Sequence, residues 1–233
     1  MDHDENVCHL DIGGGIKLQV LEDLRDDDDD VDVEECVGRF VWPTAVPMLN
    51  HLRREMPALA SSTIAVELGA GCGVLSMGLA ATRHFHNVII TDHDEMWLER
   101  NLTLNSKLFG EGLMIMRLDW GNTVEIEAVR ALINDACHSM DNPNLLIFAS
   151  DVLYNHKSHQ KLASTLHSLS SIDQIPTRIL IGFLSDRDND EASFLLKARE
   201  LFGDEFPESK SVFVERKGKT KTIAMHLIDF VVR

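Results

Sequence analysis

From residue 63 onward the chain alternates between two hydrophobic rhythms. The runs TIAVEL (63–68), NVIITD (87–92), LMIMRL (113–118), NLLIFA (144–149) and RILIGF (178–183) are short and almost continuously apolar. That pattern predicts strands buried on both faces. Between and after them, the segments 74–83, 94–108, 123–138, 156–170 and 189–202 read as helices. Four strand–helix–strand crossovers in succession imply a parallel, doubly wound α/β sheet covered by helices on both faces. Past residue 202 the rhythm changes. KSVFVER and TKTIAMHLIDFVV have no helix between them, only the basic turn Lys217-Gly218-Lys219, so they are expected to form an antiparallel hairpin. Five parallel strands and this terminal hairpin make a seven-strand sheet.

The chain before residue 63 follows different patterns. VCHLDIGGGIKLQVLE alternates Leu10, Ile12, Ile16, Leu18 and Val20 around three glycines, the signature of a β-hairpin. GRFVWPTAVPMLNHLRREM (38–56) then reads as a turn entering a short amphipathic helix. The expected division is an N-terminal hairpin and acidic loop over 1–37 and one α/β domain over 38–233, a size that can bury a full core.

Charge sharpens that division. The formal net charge is −16, yet residues 1–37 hold 14 acids against Lys17 and Arg25, while the rest carries only −4. The acidity centres on Asp26–Asp30 and suits a solvated loop or a basic partner. It argues against nucleic acid, whose phosphates need a basic face. Cys8, Cys36, Cys72 and Cys137 form no C-x-x-C pair, a pattern of reduced thiols that points to the cytoplasm or the nucleus. No stretch approaches a membrane span, and no heptad or long apolar run calls for oligomerisation, so a monomer with no membrane contact is expected.

The candidate chemistry lies where the strands end. VELGAGCGVLSMGLA places Gly69, Gly71 and Gly73 on a strand-to-helix turn, where a ligand can approach the backbone at a helix N-terminus. Val74 stands where a dinucleotide fingerprint requires its last glycine, which counts against NAD, and no Lys-Ser/Thr follows to make a phosphate loop. Asp92 ends the second strand 21 residues after Gly71, a spacing suited to binding ribose hydroxyls. Its alternative is a cap for the helix near Asp94. Asp119 and Trp120 end the third strand and fit an adenine amino group and ring, or else a cap and a rim aromatic. Together these strand-end residues point to an adenosine-containing cofactor. The fourth strand runs into SDVLY (150–154), placing Asp151 at the mouth of a buried strand, where an acid must be paired, capping or useful.

These residues resemble a class I, seven-strand S-adenosyl-L-methionine-dependent methyltransferase, a Rossmann-like fold. ELGAGCG (67–73) is similar to that superfamily's first motif. GRFVWPTA (38–45), TDHD (91–94), LDWG (118–121) and the D-x-x-Y of Asp151 and Tyr154 resemble its protein lysine methyltransferase branch, methyltransferase family 16. The resemblance implies that Trp42, Glu67, Gly69, Ala70, Gly71, Asp92, Trp120 and Ser150 line the S-adenosyl-L-methionine pocket, with Asp119 added from its position. Asp151 and Tyr154 would border the acceptor site. Ser150 departs from an alanine common in the branch.

The implied reaction is methyl transfer by in-line displacement to a lysine of a protein substrate, with no metal and no covalent enzyme intermediate. A lysine nucleophile must lose a proton from a group whose ordinary pKa is about 10.4. A carboxylate would retain that proton, so Asp151 is expected to anchor the acceptor nitrogen and favour the charge developing on it, not to act as a simple base. The alternative is a cap on the next helix with Tyr154 packed beneath. Competing functions are methyl transfer to a small-molecule amine or other metabolite, a non-catalytic cofactor-binding protein and, last, a nicotinamide-dependent oxidoreductase. His156 and His159 read as solvated helix residues, Cys72 as a small turn residue, and Trp97 as core or rim.

Overall fold

The computed structural model describes residues 5–23, 37–55, 62–82, 85, 87–109, 112–172, 175–184, 191–203, 206–207, 210–214 and 223–232. The acidic run Asp26–Asp30, Cys36 and the turn Lys217–Lys219 lie outside them.

The N-terminal hairpin is β1 (Glu5–Asp11) and β2 (Lys17–Asp23), antiparallel and separate from the main sheet. A 3-10 turn, Val37–Arg39, and helix α1 (Ala45–Glu55) follow. Then come β3 (Thr63–Leu68), α2 (Val74–Ala81), β4 (Asn87–Asp92), α3 (Glu95–Asn105), β5 (Leu113–Arg117), α4 (Thr123–His138), β6 (Asn144–Ser150), α5 (His159–Ser170), β7 (Thr177–Leu184) and α6 (Glu191–Phe202). Strands β8 (Lys210–Val214) and β9 (Ile223–Val232) close the chain. The sheet order is β5-β4-β3-β6-β7-β9-β8: β3 to β7 are parallel, while β9 runs antiparallel to both β7 and β8. The expected seven-strand architecture is thus present, with the terminal hairpin inserted so that its second strand joins the sheet.

The continuous apolar runs have a simple cause. All six residues of β3 are buried, and alternate side chains enter two separate cores. Ile64, Val66, Ile89, Leu145, Ile147, Ile179 and Ile181 pack with residues of α4, α5 and α6 on one face. Ala65, Val88, Ile90, Leu146, Phe148 and Leu180 pack with α1, α2, α3 and the hairpin on the other. Period-two alternation survives, but both faces need apolar residues.

The hairpin is held by α3. Asn101 accepts from Leu21 N–H at 2.7 Å and donates to Leu21 O at 3.4 Å; Asn105 accepts from Gln19 N–H at 2.8 Å and donates to Gln19 O at 2.6 Å. Four helical residues rise about 6 Å and two strand residues span about 6.8 Å. Two amides one turn apart therefore match alternate residues of a strand edge and satisfy it as a neighbouring strand would.

The topology also places the site. From β3 the chain winds toward β5, then returns to β6 and winds the other way. The loops leaving β3 and β6 therefore diverge, opening a crevice at the carboxyl ends of the strands.

Candidate functional site

The turn leaving β3 is pinched between two walls. Gly69 and Gly71 have φ of 63° and 56°, a region that costs an L-residue about 1–2 kcal/mol. A Cβ on Gly69 would lie 2.8 Å from Trp120 Cζ2, and one on Gly71 would lie 2.7 Å from the carbonyl oxygen of Gly38. Only glycine fits where the backbone is this close to its surroundings. Ala70, between them, donates its N–H to Thr91 O at 3.0 Å and so fastens the turn to β4.

Asp92, at the end of β4, is 4% exposed. Its Oδ2 accepts from Gly71 N–H at 2.8 Å, and its Oδ1 from Asp94 N–H at 3.0 Å and His93 Nδ1 at 3.0 Å. Burial alone would raise its pKa, but these hydrogen bonds outweigh it and hold the carboxyl below the usual range. The His93 imidazole is raised by its hydrogen bond to Asp92, against the opposing effect of burial. A carboxylate has about four acceptor sites, so Asp92 retains capacity for a hydroxyl. The helix cap is a different residue: Asp94 accepts from Trp97 N–H at 3.2 Å.

Glu67 is buried beneath the same turn and accepts from Ser76 N–H at 3.1 Å. Burial pushes its carboxyl up to about 8, against the hydrogen bonding from Ser76. At neutral pH it is therefore largely protonated and uncharged.

The loop leaving β6 takes an unusual path. Asp151 has φ of 55° and is 6% exposed, and its N–H donates to Gly182 O at 2.8 Å. Its carboxylate does not cap the following helical turn, where Asn155 accepts from Lys157 N–H. Instead Oδ1 accepts from Thr44 Oγ1 at 2.7 Å and Oδ2 from Thr44 N–H at 3.0 Å. Thr44 starts α1, its carbonyl accepting from Met48 N–H at 2.9 Å. Tyr154, 42% exposed, stands at the rim.

Asp92, Asp119, Trp120, Gly69, Gly71, Ser150, Asp151, Tyr154 and Trp42 all line one open cleft of about 870 Å³, including the solvent at its mouth. Glu67 and Ala70 line a smaller adjoining recess with Trp42, Gly69 and Ser150. The structure thus brings all the sequence-derived candidates to two connected hollows. Trp42 is oriented by its Nε1–H, which donates to Val37 O at 2.8 Å. Asp119 donates its N–H to Glu125 at 2.6 Å, while Asn122 caps α4.

Several wall residues were not singled out from sequence. Gly38 is one, inside GRFVWPTA; Thr44, which is fully buried and does not itself line the cleft, carried a readable signal as a threonine just ahead of a helix. His93, Val152, Asn155 and Ser158 also line the cleft and showed no local signal. One expectation is corrected: His159 is not solvated but fully buried, its ring edge-on to Phe194 at 5.9 Å and Nε2 3.3 Å from Leu153 O. Its helix face turns toward α6, which periodicity alone did not show.

A glycine turn, a carboxylate closing the second parallel strand and a cleft at the switch point define a Rossmann-like cofactor-binding domain. The family profile described as lysine methyltransferase matches residues 26–200, and the chain belongs to that family. It is 29% identical to the protein-lysine methyltransferase METTL21E of Mus musculus over 174 residues, 72% of this chain and 65% of that one. It is 28% identical to the protein N-terminal and lysine N-methyltransferase EFM7 of Cryptococcus neoformans over 131 residues, 56% of this chain and 42% of that one. The chain therefore spans less than two thirds of the length of these relatives. The crystal structure of magnesium protoporphyrin IX methyltransferase ChlM from Synechocystis PCC 6803 with bound SAH shares the fold, with a TM-score of 0.50 and 14% identity, covering 88% of this chain and 89% of that one. S-adenosyl-L-methionine is the methyl donor that membership of this family brings. The residues present fit it: Gly69 and Gly71 line the cleft without side chains, and an ionised Asp92 stands at the strand end.

Proposed function

We propose that this protein transfers a methyl group from S-adenosyl-L-methionine to the side-chain nitrogen of a lysine in a protein substrate. The observation that carries the reading is the charge of the cleft. Its wall holds the carboxylates of Asp92, Asp119 and Asp151 against the one imidazole of His93 and, among the described residues, neither lysine nor arginine. Such a wall favours a cationic donor and an ammonium-bearing acceptor and disfavours the phosphates of a nicotinamide cofactor or nucleic acid.

When bound, the cofactor supplies a methyl group on a positively charged sulfur. The chain's residues then have three tasks. Gly69, Gly71 and Asp92 hold the adenosine end, with Trp120 along the wall. Trp42, Ser150 and the uncharged Glu67 form the recess beside the turn and exclude water from it. Tyr154 offers its ring to the incoming ammonium, a contact worth about 1 kcal/mol. The negative field of Asp151 favours positive charge as it develops on nitrogen.

In this reading residues 1–37 are an extension of a methyltransferase domain over 38–233, and the protein works as a monomer in the cytoplasm or nucleus. Among the described residues no helix is long and apolar enough to cross a membrane. Cys8 and Cys72 are free thiols pushed up by burial to about 11 and about 12, so they stay protonated and resist oxidation.

The test is transfer from methyl-labelled S-adenosyl-L-methionine into a size-fractionated cell extract, with Asp92→Ala as control. Label in a discrete protein band that disappears with the variant is expected. Label confined to small molecules would replace the reading with methylation of a metabolite amine.

A further inference from the structure

We propose that Thr44 is a positioning residue for the transfer: with Asp151 it forms a buried latch that sets the Trp42 wall of the cleft against the Tyr154 wall. Its role in transfer rests on the function proposed above.

The geometry is specific. Thr44 is 0% exposed, and both its hydroxyl and its backbone N–H donate to Asp151, one to each oxygen, at 2.7 and 3.0 Å. The two residues are 107 positions apart, so the bonds join segments that sequence does not connect. Hydrogen bonds to an ionised acceptor are about twice as strong as neutral ones, and the carboxylate also faces the N-terminus of α1, where a helix favours negative charge. On one side of the latch Trp42 lies two residues before Thr44. On the other, Tyr154 lies three residues after Asp151, whose left-handed backbone turns the chain out of β6. Trp42, Asp151 and Tyr154 line the same cleft. The α1 side is itself tightly seated: a Cβ on Gly182 of β7 would lie 2.7 Å from Met48 Sδ and 3.3 Å from Thr44 Cγ2. The acid of the D-x-x-Y pair is thus turned inward, toward Thr44, and influences the acceptor through its field and through the position of Tyr154.

Calorimetric titration with S-adenosylhomocysteine tests the latch without needing the acceptor. Measurements are made on wild type, Thr44→Val, Thr44→Ser and Arg178→Met, below the melting transition of every variant. Arg178 pairs with Asp229 at 2.7 Å, at the amino end of β7 away from the cleft. Thr44→Val, which removes the hydroxyl, should weaken binding about tenfold, the scale of one lost charged hydrogen bond. Thr44→Ser, which keeps it, should bind within about twofold of wild type. Arg178→Met should lower Tm and leave affinity unchanged, separating positioning from stability. Wild-type affinity in Thr44→Val overturns the latch. If that variant does not fold, Asp151→Asn replaces it, and wild-type affinity there overturns the latch equally. Absence of binding by the wild-type protein removes the functional reading and the latch with it, whereas equal binding by wild type and Thr44→Val removes the latch alone.

Discussion

A carboxyl group held as deeply as that of Glu67 couples stability to pH with a definite sign. Its pKa is about 8 in the folded chain against an ordinary 4.5, so the folded state keeps a proton that the unfolded state releases. The contribution is fully present below pH 4.5 and is lost as pH rises through about 8. Glu67→Gln keeps an acceptor for Ser76 N–H and removes the titration. Relative to wild type, the variant should gain on the order of 3 kcal/mol between pH 5 and pH 8, as read from urea unfolding at both values. A constant difference across that range would show that the carboxyl is ionised in the folded protein. Asp92 has the opposite sign, because its depressed pKa contributes stability at neutral pH that is lost only in acid. The two acids show what sequence carries and what it does not. Both stand where a strand-end motif places them, but their opposite charge states come from the burial of Glu67 and, at Asp92, from His93 and the backbone N–H groups of Gly71 and Asp94, which only the fold assembles.

The hairpin and its helix make the same point for elements. The alternation around Gly13–Gly15 was enough to predict β1 and β2, and the bounds 63–68, 87–92 and 123–138 were read from hydrophobic pattern alone and match β3, β4 and α4. The pattern was less informative where a helix begins or ends in 3-10 geometry, as at Ser106–Leu108 and His156–Ser158, because side-chain period barely changes there. It said nothing of what secures the hairpin, since Asn101 and Asn105 look like ordinary polar positions of an amphipathic helix. Their amides are instead buried against β2. Asn101→Ala should cost about 1–3 kcal/mol by leaving Leu21 N–H unsatisfied, lowering Tm by about 2–12 °C and accelerating amide exchange at Leu21. Unchanged exchange at Leu21 would mean that the hairpin does not depend on this pairing.

At the scale of the whole molecule, strand order decides where chemistry can occur. Because winding reverses between β3 and β6, residues as distant in sequence as Trp42, Asp92, Trp120 and Tyr154 meet on one cleft. Strand-end logic anticipated Asp92, Trp120 and the Asp151–Tyr154 segment; Trp42, which precedes α1, entered only through the family resemblance. Neither could anticipate the Thr44–Asp151 bonds, because nothing local to either residue names the other. The acidic wall predicts a selective response to ligands: S-adenosylhomocysteine at about 100 times its Kd should stabilise the fold by about 2.7 kcal/mol, raising Tm by roughly 5–11 °C. NAD should leave Tm unchanged, and Gly71→Ala should abolish the S-adenosylhomocysteine response. A shift with NAD instead would reassign the cleft. The most direct measurement identifies the methylated atom. Protein labelled from methyl-labelled S-adenosyl-L-methionine is hydrolysed to amino acids and separated against methylated standards. Label eluting with methyllysine is the predicted result; label eluting with methylarginine, or lost as volatile methanol from an ester, would contradict the account.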